Sequence, residues 1–249
     1  IVGDAKWEPL FGDSVTQDVY HVADGKSSNT EINDAILEDA IIEIRQGKSR
    51  LMLVNFLPER RFAHSMSETG RQDITREEAE ANIDARLVKL LETVDLSSSA
   101  VMVVLGSSLV AHHVAFDSSK TGGNALLVAA GAGIMTPEDP PETIQWIPGH
   151  PADIAPTCAS LLGISIPTHS QGKVLFSVLD MPYHALSEIA IRQTAARAGF
   201  AAEYIKVTGK QCNEDWSLLD AFLLHNDGNY QDAYDVALSI DENIVSLLK

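Results

Sequence analysis

Apolar positions fall into two textures along the chain. Residues 50–56, 100–105 and 125–130 are short runs that are apolar almost throughout, such as Val101-Met102-Val103-Val104-Leu105. Runs of that length without alternation suit strands buried on both faces. Residues 143–147 alternate through Ile144, Trp146 and Ile147 and suit an edge strand. Helical spacing separates the runs. Residues 33–45 place Ile36, Ala40, Ile41 and Ile44 on one face. Thr75-Arg76-Glu77-Glu78 reads as a capping box that opens a helix to about residue 94, with Ala79, Ile83, Leu87, Leu90 and Leu91 as its apolar stripe. Residues 152–162 form a further helix, stopped by Gly163.

Strand–helix–strand alternation of this kind predicts a three-layer α/β/α sandwich with a mostly parallel central sheet. From residue 182 the texture is helical only. Residues 185–208, 215–225 and 230–248 read as three helices, broken at 209–214 and at Asn226-Asp227-Gly228-Asn229. The expected organisation is an α/β domain over 1–181 and a helical extension over 182–249. No internal repeat is visible.

At 249 residues and 45% hydrophobic composition the chain is long and apolar enough for a sizeable core. Thirty-five acids against eighteen bases give a formal charge of −17. That balance excludes nucleic acid and anionic membrane surfaces as partners, since both require a positive face. No apolar stretch reaches the roughly 18 residues of a membrane span. Cys158 and Cys212 form at most one disulfide, and Cys158, in an apolar helical run, reads as a buried unpaired thiol. The chain begins Ile1-Val2-Gly3-Asp4, already strand-like, which suggests a processed or truncated product with a segment upstream.

Five segments, in order, resemble the alkaline phosphatase superfamily, especially its phosphodiesterase and phosphoethanolamine-transferase-like branches. Gly3-Asp4-Ala5-Lys6-Trp7-Glu8-Pro9-Leu10-Phe11 is similar to "GD-x-x-W-x-x-LF". Residues 50–70 resemble a strand followed by a metal-binding Asp…Gly-His loop. Residues 101–108 occupy the place of a strand ending in Ser-Asp-His-Gly, and 125–134 resemble "P-L-I-x-W-G-x-G-I". The fullest match is Asp153-Ile154-Ala155-Pro156-Thr157 with Leu161-Leu162-Gly163, which resembles "DIAPT-x-x-x-LLG" and is followed by an "IP-x-x-SQG-x-x-L" stretch from Ile166 to Leu175. The resemblance spans about residues 1–180 and implies the sandwich fold.

It also implies two-metal phosphoryl or sulfuryl transfer, with three Asp and three His holding zinc or similar ions. The family's nucleophile and first Asp lie upstream of the segment at which this chain starts. Of the remaining ligand positions, His64 keeps its histidine, while Arg60 stands where the loop's Asp is expected and Glu59 is adjacent. Leu105-Gly106-Ser107-Ser108 replaces the Asp-His pair with residues that cannot serve a dication. In Ala111-His112-His113-Val114, His113 is the choice for the last histidine, because adjacent residues on an extended chain point to opposite sides. Each of these two histidines also reads as an ordinary loop residue, His64 the more readily. His64 and His113 are thus the candidate metal ligands, and two neutral ligands fall short of a stable zinc site. No cofactor is expected beyond residual zinc or another divalent ion, and no catalytic residue is assigned.

The other features read as structural. Residues 117–123 place Lys120 beside Gly and Thr in an order that is not a phosphate-binding loop. Asp153 reads as a helix-N-terminal acid, with Pro156 in the first turn. Tyr234, Leu238, Val245 and Leu248 form a stripe on the last helix, suited to packing or to a partner. The expectation is a catalytically degenerate superfamily member, a pseudoenzyme with a structural, assembly or binding role. The alternative is an active metal-dependent phosphoester or sulfoester hydrolase or phosphotransferase whose nucleophile comes from an N-terminal segment. The partners implied are a second copy of the chain, through the C-terminal helices, or that N-terminal segment. The resemblance favours an extracytoplasmic setting.

Overall fold

Helix α1 (Asn29–Gln46) forms where the 33–45 stripe predicts it, with Ile32, Ile36, Leu37 and Ala40 buried. The computed structural model describes residues 2–4, 19–21, 29–57, 75–105, 126–136, 147–167, 170–209 and 216–248. The chain divides into two compact units, residues 1–95 and 96–249. The change of texture at 182 falls inside the second.

In the first unit, α1 and α2 (Arg76–Leu91) accompany a parallel pair, β1 (Val2–Asp4) with β2 (Val19–His21). The capping box is present in full. Thr75 Oγ1 accepts from the Glu78 amide at 3.1 Å, and Glu78 Oε2 accepts from the Thr75 amide at 2.8 Å. The helix stops at Leu91, short of residue 94, and Leu91 itself is exposed.

The 50–56 run is no strand. Met52, Val54 and Phe56 pack on Ile32, Ile36, Leu37 and Leu90, while Leu51 and Leu53 face outward. The run is therefore buried on one face only. Asn33, itself buried, clasps its end. The Asn33 amide donates to the Leu57 carbonyl at 2.9 Å and accepts the Leu57 N–H at 2.7 Å. Arg86 interrupts the α2 stripe, buried against Asp34 at 2.8 Å.

The expected three-layer sandwich with a mostly parallel sheet is overturned. The described residues are mostly helical. In the second unit β3 (Ala100–Leu105) and β4 (Leu126–Gly131) lie at the predicted places, but they pair antiparallel, Ala100 opposite Gly131 and Leu105 opposite Leu126. Val104 and Val128 are 48% and 51% exposed and in this register lie on opposite faces, so neither face of the ribbon is fully covered, where a sandwich strand would be covered on both. A continuous apolar run does not distinguish these cases. Of the 143–147 edge strand, residues 143–146 lie outside the described residues, and Ile147 is exposed and not in a strand.

A 3₁₀ turn (Pro151–Asp153) leads into α3 (Ile154–Leu161), closed by Gly163 at φ +64°. Then come α4 (Tyr183–Thr208), α5 (Leu219–Asn226) and α6 (Tyr230–Leu248). Small residues let α4 and α6 approach closely. Ala190, Thr194 and Ala201 on one helix and Ala233 and Ala237 on the other are fully buried. Thr194 Oγ1 reaches both its own Ala190 carbonyl at 2.9 Å and the Ala237 carbonyl of α6 at 3.0 Å. Ala190, Ile191, Ala221 and Ala237 form the core of this helical part.

Candidate functional site

Residues 172–175 run between α3 and α4 without a strand partner, so their buried backbone groups need side-chain partners. Each of the four residues has one. Lys173 N–H donates to Asp153 Oδ1 at 2.8 Å and Leu175 N–H to Thr157 Oγ1 at 3.0 Å. Val174 N–H donates to Gln193 Oε1 at 2.7 Å, and Arg197 Nη2 donates to the Gly172 carbonyl at 2.9 Å. Two holders thus come from α3 and its leading turn, and two from α4.

Local sequence positions the α3 pair. The second Asp153 oxygen accepts the His150 N–H at 2.8 Å, while His150 Nδ1 accepts from Ala152 N–H, which closes the 3₁₀ turn as a capping box. Thr157 donates its hydroxyl proton to the Asp153 carbonyl at 2.6 Å, leaving an oxygen lone pair for Leu175. Gly172 is required here because a Cβ would sit 2.1 Å from the Ala152 carbonyl oxygen.

On the other side Arg197 forms an ion pair with Asp241 of α6, and Gln193 donates to the same Asp241 oxygen at 3.2 Å. Both charged side chains are under a tenth exposed. Burial pushes the Asp241 carboxyl above its usual range, with Glu242 adding to the shift; Arg197 and Gln193 oppose it. Asp241 Oδ1 is buried without a hydrogen-bond partner.

A cleft of about 470 Å³ lies over this pair. One wall is the stretch from Lys173 to Ser177. The other is one face of α6, Tyr234, Leu238, Asp241 and Val245, spaced at i, i+4, i+7 and i+11. Phe176 and Tyr234 meet edge to face at 5.2 Å. Burial, with Asp235, raises the Tyr234 phenol, so it is uncharged at neutral pH.

His64 and His113, the sequence-predicted metal ligands, lie outside the described residues, as do Glu59, Arg60, Gly106, Ser107, Ser108, His112 and the 117–123 stretch. Among the described residues no three His, Cys, Asp or Glu side chains come together as a metal site. Asp153 has the structural role expected of it, but by a different means. It caps no amide of α3 and instead ties His150 to Lys173. Cys158 is a free thiol, its proton affinity raised by burial, with Met102 sulfur at 3.6 Å. Three of the four stripe residues on the last helix, Tyr234, Leu238 and Val245, line the cleft.

Sequence reasoning missed Gln193, Arg197 and Asp241. The available signal was an acid on the apolar face of α6 and a cation in the Ala-rich α4, each misplaced for a solvated role. No protein-family model, curated protein or solved structure matches this chain.

Proposed function

We propose that the chain acts by binding or assembly and without turnover, as a catalytically degenerate protein whose motifs resemble those of the alkaline phosphatase superfamily. The use made of the buried polar side chains that hold residues 172–175 and the floor of the cleft carries this reading. Asp153, Thr157, Gln193 and Arg197 are each committed to a backbone group of residues 172–175, and Asp241 is committed to Arg197 and Gln193. A general acid, base or nucleophile must reach a substrate atom. Groups occupied in this way hold a surface in shape. Two features of the sequence support the same reading: Arg60 stands where the resemblance expects an Asp, and Gly106-Ser107 where it expects an Asp-His pair.

The test is turnover. The chain is incubated with zinc or manganese and with the p-nitrophenyl esters of phosphate, phosphodiester and sulfate. The expected result is nitrophenolate release no faster than with the metal ion alone. Release above that level that disappears in His64→Ala would overturn the proposal.

A further inference from the structure

The cleft over the Arg197–Asp241 pair contains an unmet hydrogen-bonding demand. Both side chains that donate to Asp241, Arg197 and Gln193, converge on Oδ2. Oδ1 accepts from no group, in a residue only 5% exposed. A carboxylate has acceptor sites on both oxygens, so half of this one is unused. What is missing is a donor, and the cleft beside it is lined by apolar groups, Tyr234, Leu238 and Val245 on α6 and Phe176 on the facing stretch, edge to face with Tyr234.

We infer that the cleft binds a small primary amine carrying an aromatic or branched aliphatic body, its ammonium group donating to Asp241 Oδ1. This rests on the binding role proposed above. The charges of the lining balance, Asp241 and Glu242 against Arg197 and Lys173, but Arg197 is committed to Asp241 Oδ2 and the Gly172 carbonyl, which leaves Oδ1 without a cationic donor. A net charge of −17 draws cations at longer range. Charge-assisted hydrogen bonds are also the stronger kind. Asp241 lines the cleft, and the torsion about the aspartate Cβ–Cγ bond is soft. A modest turn of the carboxyl group on binding presents Oδ1 to the ammonium while Oδ2 keeps Arg197. A volume of about 470 Å³ has room for such an amine. Edge-to-face rings and two aliphatic side chains suit a body of phenyl or isobutyl size.

The full chain is titrated calorimetrically at neutral pH with 2-phenylethylammonium chloride and, separately, with 2-phenylethanol, which has the same body and no charge. The expected result is about tenfold tighter binding of the ammonium. Asp241→Asn should erase that preference, so that the two compounds bind alike. Val245→Trp, which fills the cleft and leaves the ion pair untouched, should abolish binding of both with an unchanged circular dichroism spectrum, and it keeps the test open if Asp241→Asn does not fold. Equal binding of the two compounds by the native chain, no binding of either, or an ammonium preference that survives Asp241→Asn or Val245→Trp would each overturn the inference. These outcomes leave the non-catalytic reading standing, because that reading falls only on nitrophenolate release.

Discussion

Arg197 pairs with Asp241 between α4 and α6, both side chains less than a tenth exposed, and the same guanidinium holds the Gly172 carbonyl at 2.9 Å. One residue thereby joins two helices and the unpaired segment between them. Removing one partner of such a pair leaves the other charged and buried, which costs far more than losing the pair as a whole. Arg197→Met is expected to destabilise the chain by about 3–5 kcal/mol in urea unfolding. Adding Asp241→Leu should recover a large part of that loss. A double variant no more stable than Arg197→Met would mean that the ion pair is not the source of the effect.

Asp241 also sets a pH dependence. Its carboxyl holds a proton more tightly in the folded chain than in the unfolded one, chiefly through burial. The stability linked to that proton is fully present below the unfolded value and is lost as pH rises through the folded one. The native chain should therefore lose stability relative to Asp241→Asn between pH 4 and neutrality, about the range above an ordinary Asp. Paired urea melts across that range check this. A difference that stays flat, or that moves in favour of the native chain, contradicts it.

Asp153 accepts two backbone N–H groups from residues 23 apart in the chain, His150 and Lys173. Asp153→Ala orphans both, at roughly 1–3 kcal/mol for two partly buried donors. Asp153→Asn keeps one acceptor oxygen and should fall between Ala and the native chain. The measurement is the urea midpoint at constant slope.

Two glycines separate close approach from backbone strain. A methyl group at Gly172 would lie 2.1 Å from the Ala152 carbonyl oxygen, whereas one at Gly163 meets nothing within 4 Å but sits at φ +64°. Gly163→Ala should cost about 1–2 kcal/mol, the left-handed penalty alone. Gly172→Ala should cost at least about 3 kcal/mol, since two backbones must part. The reverse order in thermal unfolding would show that residues 170–173 give way freely.

In the first unit, Asn33 stands in for a strand neighbour at Leu57. Asn33→Leu removes both bonds and leaves the Leu57 backbone unpaired, at about 2–4 kcal/mol. Limited proteolysis should then cut within residues 47–57 sooner than in the native chain. An unchanged cleavage pattern would assign the hold on that segment to Met52, Val54 and Phe56 alone.

Local chemistry determined the helices. Thr75 and Glu78 lie within one turn of each other, so a capping box is complete as soon as its residues are named, and Gly163 ends α3 by a conformation that other residues disfavour. The stripe on α6 follows equally from spacing, and three of its members line the cleft. The sequence also placed β3 and β4 but not their direction. An apolar run does not record which neighbour covers its side chains, and the antiparallel pairing, with an exposed valine on each face, is a tertiary outcome it leaves open. The same holds for 50–56, where burial on one face, the clasp by Asn33 and a single bridge at Val54 stand where a full strand was expected. Arg197 and Asp241 stand 44 residues apart. Each is only a charge on an apolar face until α4 and α6 pack closely enough, over Thr194 and Ala237, to exclude water and leave the two charges to each other. The elements were local properties of the chain. The cleft and its buried pair arise from packing over long separations, which no local spacing encodes.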